Sequence, residues 1–205
     1  MAKTFGVVVI KVGGSLLDWP ELPGRLAAFL DALRNQDRAQ RFLLIAGGGA
    51  AADLVRSMDR AHGLGDERAH WLAIRAMDFT ADMLATLLPG AVVVSRPEEL
   101  CSIWNLGKSP VLAPRRMLAE IDARGPDPLP ASWDVTSDSI AARVAVLVQA
   151  SRLILLKSQG VPRATTCDEA VRLGLVDPMF PAIARELEAV EMVCLREDQM
   201  PTRLS

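Results

Sequence analysis

Two apolar runs, each stopping abruptly at glycines, constrain this chain more than any other feature. Phe5 to Val12 (FGVVVIKV) is a continuous, β-branched stretch that ends at Gly13-Gly14, and Arg41 to Ala46 (RFLLIA) runs straight into Gly47-Gly48-Gly49. An apolar run without polar alternation is the pattern of a strand covered on both faces in a parallel sheet. Parallel strands need a crossover between them, and helical spacing follows both runs. Trp19-Pro20 opens a segment in which Leu22, Leu26, Phe29, Leu30 and Leu33 recur at helical intervals, until Asn35 to Gln40 breaks the pattern. Ala50 to Arg60 then reads as an alanine-rich helix, so strand, glycine turn and helix occur twice in the first third of the chain.

The alternation continues. Asp66 to Leu88 is a long helical stretch whose Trp71, Ile74, Met77, Phe79, Met83 and Leu87 spread around the wheel, as expected of a helix that is buried or lies at a contact between copies. Ala91 to Ser95 and Pro110 to Ala113 read as short strands around a helix at Pro97 to Leu106, and Asp122 to Ser132, with Gly125, Pro126, Pro128 and Pro130, reads as a loop. Trp133 to Asp138 (WDVTSD) leads into a helix from Ser139 to Ala150 that Thr136 or Ser137 can cap. A strand at Leu153 to Leu156, helices at Asp168 to Leu173 and Pro178 to Ala189, and a strand at Glu191 to Leu195 complete the reading. The expected architecture is a single 205-residue domain, a three-layer α/β/α sandwich with a largely parallel central sheet.

Composition narrows the partners. The net charge of −2 gives no electrostatic footprint for nucleic acid and no basic face for an anionic membrane, which leaves small molecules and copies of the chain itself. Cys101, Cys167 and Cys194 are widely spaced and lack CxxC or nearby histidine pairs, so neither a disulfide framework nor protein metal ligands are indicated. The run from Lys3 to Lys11 is too short and too charge-flanked for a signal peptide, and a cytoplasmic location is expected.

Ligands of open α/β sheets bind at the carboxyl ends of the strands, where helix N-termini present unpaired N–H groups to anions. Gly13-Gly14-Ser15 and Gly47-Gly48-Gly49 are therefore read as two anion cradles facing one cleft. Lys11, at the end of the first strand, is placed to meet charge that develops on a transferred phosphoryl group. The commoner nucleotide fingerprints are absent: Gly107-Lys108-Ser109 lacks the earlier glycine of a P-loop, neither turn is GxGxxG, and there is no GxSxG or HExxH. His62 and His70 are single helix histidines, whose usual role is structural, although His70-Trp71 on the long helix could also face the cleft or a contact between copies.

Together KVGGS, IAGGG and VTSDSIAARVA resemble the amino-acid kinase superfamily, which includes acetylglutamate kinase, uridylate kinase and isopentenyl phosphate kinase. AHWLAIRAMD (Ala69 to Asp78), LPASWDVTSDSIA (Leu129 to Ala141) and VDPMFP (Val176 to Pro181) are most similar to its furan phosphate kinases of methanofuran biosynthesis. The resemblance implies that Lys11 contacts the transferring phosphoryl group, that Gly13, Gly14, Gly47 and Gly48 line phosphates through backbone N–H groups, and that Asp138 orients Lys11. An N-cap aspartate is the alternative reading of Asp138, and Asp138→Asn separates the two: an orienting role predicts collapse of turnover with little change in melting temperature. Ser15 and Lys157 are candidates for the nucleotide phosphates, and Gly49, Arg56, Thr136 and Ser137 for an anionic acceptor; Arg56 also reads as a solvated helix arginine.

The chain departs from the superfamily pattern twice. LKSQGV stands where relatives carry a TDVDG-like turn, and DPMFPA offers no lysine where many carry a GGMxxK segment, a charge that Lys157 or Lys108 could supply. The activity implied is ATP-dependent and Mg²⁺-assisted phosphorylation of a small anionic acceptor, a furan-methyl phosphate converted to its diphosphate. Another small phosphate, a carboxylate, or binding of a nucleotide or oxyanion without turnover are the alternatives.

Overall fold

A computed structural model describes residues 6–160, 162, 165–197 and 201–204. Lys3 and Phe5, part of the leader and first-strand readings, and Val161 of LKSQGV lie outside the described residues. Seven strands form one sheet in the order β3-β4-β2-β1-β5-β6-β7. They are β1 (Val7–Val12), β2 (Arg41–Ala46), β3 (Ala91–Val94), β4 (Ser109–Leu112), β5 (Arg152–Lys157), β6 (Val190–Cys194) and β7 (Thr202–Arg203). Every pairing is parallel except β6 with β7. The two glycine-terminated runs lie side by side at the centre of the sheet, with β5 on the other flank of β1.

Both faces of that centre are covered, which is why its strands lack polar alternation. On one face Val8, Ile10, Val12, Leu44 and Leu156 pack with Leu22, Leu26, Leu30 and Leu33 of α1 (Leu22–Gln36). On the other, Val9, Leu43, Ile45 and Leu155 pack with Ile140, Ala141 and Val144 of α6 (Ser137–Leu147), with Phe180 and Ile183 of α8 (Phe180–Ala184), and with Ile74 and Met77 of α3 (Asp66–Leu87). The remaining helices are α2 (Gly49–His62), α4 (Leu100–Asn105), α5 (Pro114–Glu120) and α7 (Cys167–Arg172). The result is the three-layer sandwich expected from the sequence.

The departures are local. α5 begins at a proline directly after β4 and was not foreseen, nor was the two-residue antiparallel β7. The helix expected over Pro178 to Ala189 is only the five residues of α8, because 185–189 leave the helical path and lead straight into β6. Helix α6 starts at Ser137, two residues before the expected Ser139, and so takes Asp138 into its first turn.

Candidate functional site

The parallel register sets the site. Lys11 pairs with Ile45 on one side and Leu155 on the other, and its side chain alternates onto the face shared by Val9, Leu43 and Leu155, beneath α6. Lys157 lies two residues beyond Leu155 and projects to that same face. Asp138, in the first turn of α6, meets both lysines: Lys11 Nζ is 2.9 Å from Oδ1, and Lys157 Nζ donates to Oδ1 at 2.8 Å and Oδ2 at 2.9 Å. Lys157 also donates to the Leu175 carbonyl. Lys11 and Asp138 are only 3% and 6% exposed, so this is a buried cation–anion–cation row that survives because each charge is partnered.

The row shapes its own protonation. Burial by itself would raise the Asp138 carboxyl, but the charges of Lys11 and Lys157, with their hydrogen bonds, outweigh it and hold the group below the usual carboxylate range. Burial, reinforced by repulsion from Lys11 and opposed by Asp138, lowers Lys157 to about 8.

The start of α6, whose first turn carries Asp138, is held by a residue that sequence reasoning missed. Neither Thr136 nor Ser137 caps α6 with its side chain. Asp177 does so from 41 residues away, accepting from Thr136 N at 3.0 Å, Thr136 Oγ1 at 2.8 Å and Ser139 N at 3.1 Å, and also from Ser139 Oγ. Its Oδ1 accepts from Phe180 N at 3.1 Å as well, so one carboxylate starts both α6 and α8. Two carboxylates in the field of the α6 N-terminus are a favourable arrangement. The signal in the sequence was the VDP turn, but an aspartate before proline names no partner. Asp138 in turn is no cap, since its carboxylate is spent on the lysines.

The two glycine turns are one structure rather than two facing cradles. A Cβ on Gly14 would lie 2.4 Å from Gly49 N, and one on Gly49, where φ is +50°, would lie 2.9 Å from Gly14 O. Only glycine permits this backbone-to-backbone contact. The expected phosphate donors divide accordingly. Gly13 N–H is spent on Leu156 O at 2.9 Å and Gly47 N–H on Val12 O at 2.8 Å, so both extend the sheet and neither can serve a ligand. Gly14, Ser15, Gly48 and Gly49 border a cavity of about 220 Å³, and the N–H groups of Gly14 and Gly48 make no backbone hydrogen bond among the described residues.

Thr136, Ser137 and Arg56 reach the same cavity, as their candidacy required. Arg56 is not simply solvated: it is 2.6 Å from Asp53 and its guanidinium lies 5.0 Å above the ring of Trp133, whose Nε1 donates to Asp59 at 2.8 Å. Asp53, Trp133 and Val135 also line the cavity, a role the sequence did not assign them, and so does His70, for which the cleft was one of the open readings. Ser15 Oγ lies 2.8 Å from Ser158 Oγ in the LKSQGV turn. Lys108 borders a different groove with Arg34 and Arg41 and is not part of this site.

The residues do not fit a cation held by the protein. Asp138 and Asp177 are occupied by two ammonium groups and by helix N–H groups, Asp53 on the cavity wall is paired with Arg56, and no cluster of three His, Cys, Asp or Glu side chains occurs among the described residues. Nor is any helix among them long and apolar enough to cross a membrane.

Fold and sequence match known proteins. The chain is 27% identical over 150 residues to the [5-(aminomethyl)furan-3-yl]methyl phosphate kinase of Methanocaldococcus jannaschii; the match covers 72% of this chain and 63% of that protein, just under two thirds of its length. UMP kinase from Ureaplasma parvum superposes with a TM-score of 0.66 at 15% identity, covering 98% of this chain and 99% of that one. Uridylate kinase from Archaeoglobus fulgidus gives 0.61 at 18% identity over 91% and 90% of the two chains. Aspartate kinase from Synechocystis gives 0.68 at 17% identity, covering 97% of this chain but 39% of that one. At these identities the superpositions establish the fold. The sequence model of the Amino acid kinase family matches residues 6–165, most of the chain and all of the segment carrying Lys11, both glycine turns, Asp138 and Lys157, and the chain belongs to that family.

Proposed function

We propose that the chain is an ATP-dependent phosphotransferase whose acceptor is a small phosphate, a furan-methyl phosphate converted to its diphosphate. The observation that carries this reading is the buried Lys11–Asp138–Lys157 row, which lies behind the cavity lining and is joined to it through the chain, Lys11 three residues before Gly14 and Asp138 directly after Ser137. Two ammonium groups held by one carboxylate are preorganised positive charge, which stabilises a transferring phosphoryl group without reorganisation cost at the moment of reaction. The matched relative's name supplies the acceptor class.

In the transfer, an ionised oxygen of the acceptor phosphate attacks the γ-phosphorus in line. A new P–O bond forms as the bond to the β,γ-bridging oxygen breaks, and ADP leaves with that electron pair. The acceptor oxygen is already ionised, so no general base is required. Lys11 meets the charge on the transferred group, Asp138 aims Lys11, and Lys157 supplies the second ammonium that DPMFPA lacks. Magnesium enters with the nucleotide as part of the substrate. A cavity of about 220 Å³ suits a compact acceptor rather than a whole nucleoside triphosphate, which supports seating the acceptor beside Gly48, Arg56, Trp133 and Ser137.

The test is to mix purified protein with MgATP and [5-(aminomethyl)furan-3-yl]methyl phosphate. Stoichiometric ADP and diphosphate product are expected. Thermal stabilisation by ATP and the acceptor with no ADP formed would instead identify a binding protein without turnover. We also propose that the chain self-associates through exposed apolar side chains on α2 and α3.

A further inference from the structure

Among the residues lining the cavity, His70 is the buried titratable group that phosphoryl transfer leaves unused. His70, Ala73, Ile74 and Met77 are spaced i, i+3, i+4, i+7 on α3, so one helix face forms a wall that is apolar except at its N-terminal end. The imidazole is 5% exposed and its Nδ1 lies 3.1 Å from the Ser132 carbonyl oxygen. A carbonyl only accepts, so Nδ1 carries the hydrogen and Nε2 of the neutral ring is left as an acceptor. Nε2 has no hydrogen-bond partner among the described residues and is accessible from the cavity that His70 lines. Burial lowers the imidazole pKa below its ordinary value, against the opposing effect of the Ser132 bond, and this keeps the ring neutral near pH 7. An acceptor that opens on the cavity is available to a ligand that supplies a hydrogen.

We propose that His70 selects the acceptor substrate, its Nε2 accepting a hydrogen bond from an amine at the end of the molecule remote from the reacting phosphate. The inference rests on the phosphotransferase reading and specifies its substrate class, an amine-bearing organic phosphate. Among the described residues Asp53 is the carboxylate that lines the cavity, and Arg56 engages its Oδ1, so the pair adds little net charge and the polar selection falls to His70. An acceptor anionic at both ends would set a negative group against the Nε2 lone pair and be rejected. A site built to satisfy one donor discriminates strongly against an analogue lacking it, because the polar group is then left unpaired.

The experiment compares two probes, [5-(aminomethyl)furan-3-yl]methyl phosphate and its 5-ethyl counterpart, which keeps the shape and lacks the donor. The wild-type chain is expected to favour the amine by about ten- to a hundredfold in kcat/KM, chiefly through KM. His70→Leu brings that ratio toward one by raising KM for the amine, and His70→Gln, which retains an acceptor oxygen, preserves part of it. Equal kcat/KM for the two probes in the wild type overturns the role of His70 while leaving the phosphotransferase reading intact. So does a ratio unchanged in the folded variants. If His70→Leu does not fold, the wild-type ratio and His70→Gln decide. Should neither probe be phosphorylated nor bind in titration calorimetry, the phosphotransferase reading falls and this inference falls with it.

Discussion

At the residue scale the chemistry is concentrated in one carboxylate. Lys11→Ala should lower turnover on the order of a hundredfold to a thousandfold while the chain stays folded, since its ammonium acts on transition-state charge; unchanged kinetics would remove it from the mechanism. Asp138→Asn is a different case. The sequence suggested that turnover alone would suffer, but the side chain is buried between two ammonium groups, and removing its charge leaves both uncompensated. A loss of roughly 3 kcal/mol in a urea melt is expected together with the collapse of turnover, and near-normal turnover would sink the orienting role. Lys157 makes a prediction about pH. With its pKa lowered to about 8, its ammonium is lost above that pH, so kcat should fall as pH rises through 8. Stability moves the other way. Between about 8 and the ordinary value of 10.5 the unfolded chain binds more protons at this position than the folded one, so the Lys157 contribution rises with pH across that window. Lys11 and Asp138 are the charged groups that face Lys157 most closely, with Asp177 adding a further attraction, and Lys157→Gln should flatten both trends. A profile of the variant still falling at pH 8 would assign the titration elsewhere.

At the element scale the site depends on where α6 begins, and that is set from outside the helix. Asp177→Ala would strand Thr136 N and Ser139 N at a buried helix start, and about 3 kcal/mol of destabilisation is expected. If Asp177 also positions Asp138, kcat should fall more than tenfold at a temperature where the variant is fully folded, a change that loss of a cap alone would not produce. This element shows what the sequence could and could not disclose. The central strands, their glycine turns and Lys11 were legible because local patterning encodes them: an unbroken β-branched run, a glycine stop, a lysine in register. Asp138 was legible through its motif. What Asp138 touches was not, since Lys11 and Lys157 arrive on strands 127 residues before it and 19 after it, and only the β1–β5 pairing brings them together. The contact between Gly14 and Gly49 was hidden for the same reason, and so the N–H groups of Gly13 and Gly47 were assigned to ligands although the sheet consumes them. His70 could not be read at all without Ser132, whose carbonyl fixes its tautomer.

At the scale of the whole molecule, the remaining question is what covers α2 and α3. The sequence left the long helix, with Trp71, Met77 and Phe79, either buried or at a contact between copies; Met77 is buried in the chain's own core and Trp71 packs against it. Phe79 remains, 58% exposed, with Met83 and Leu72 also exposed on α3 and Leu54 and Met58 on the adjacent α2. Among the described residues, five of the eight large hydrophobic side chains that stand exposed are thus on one helix pair. Scattered exposed leucines are ordinary, whereas this concentration supports the proposed self-association. A two-fold pairing of identical surfaces is the simplest closed arrangement and would sheathe the outer side of the helix that carries His70 on its inner side. Sedimentation at micromolar concentration should therefore show a species of at least twice the chain mass. Phe79→Glu, which changes no core contact, should shift it to the monomer while the melting transition of the folded chain persists. A wild-type chain that sediments as a monomer, or a Phe79→Glu chain that sediments like the wild type, would place the association surface elsewhere or nowhere.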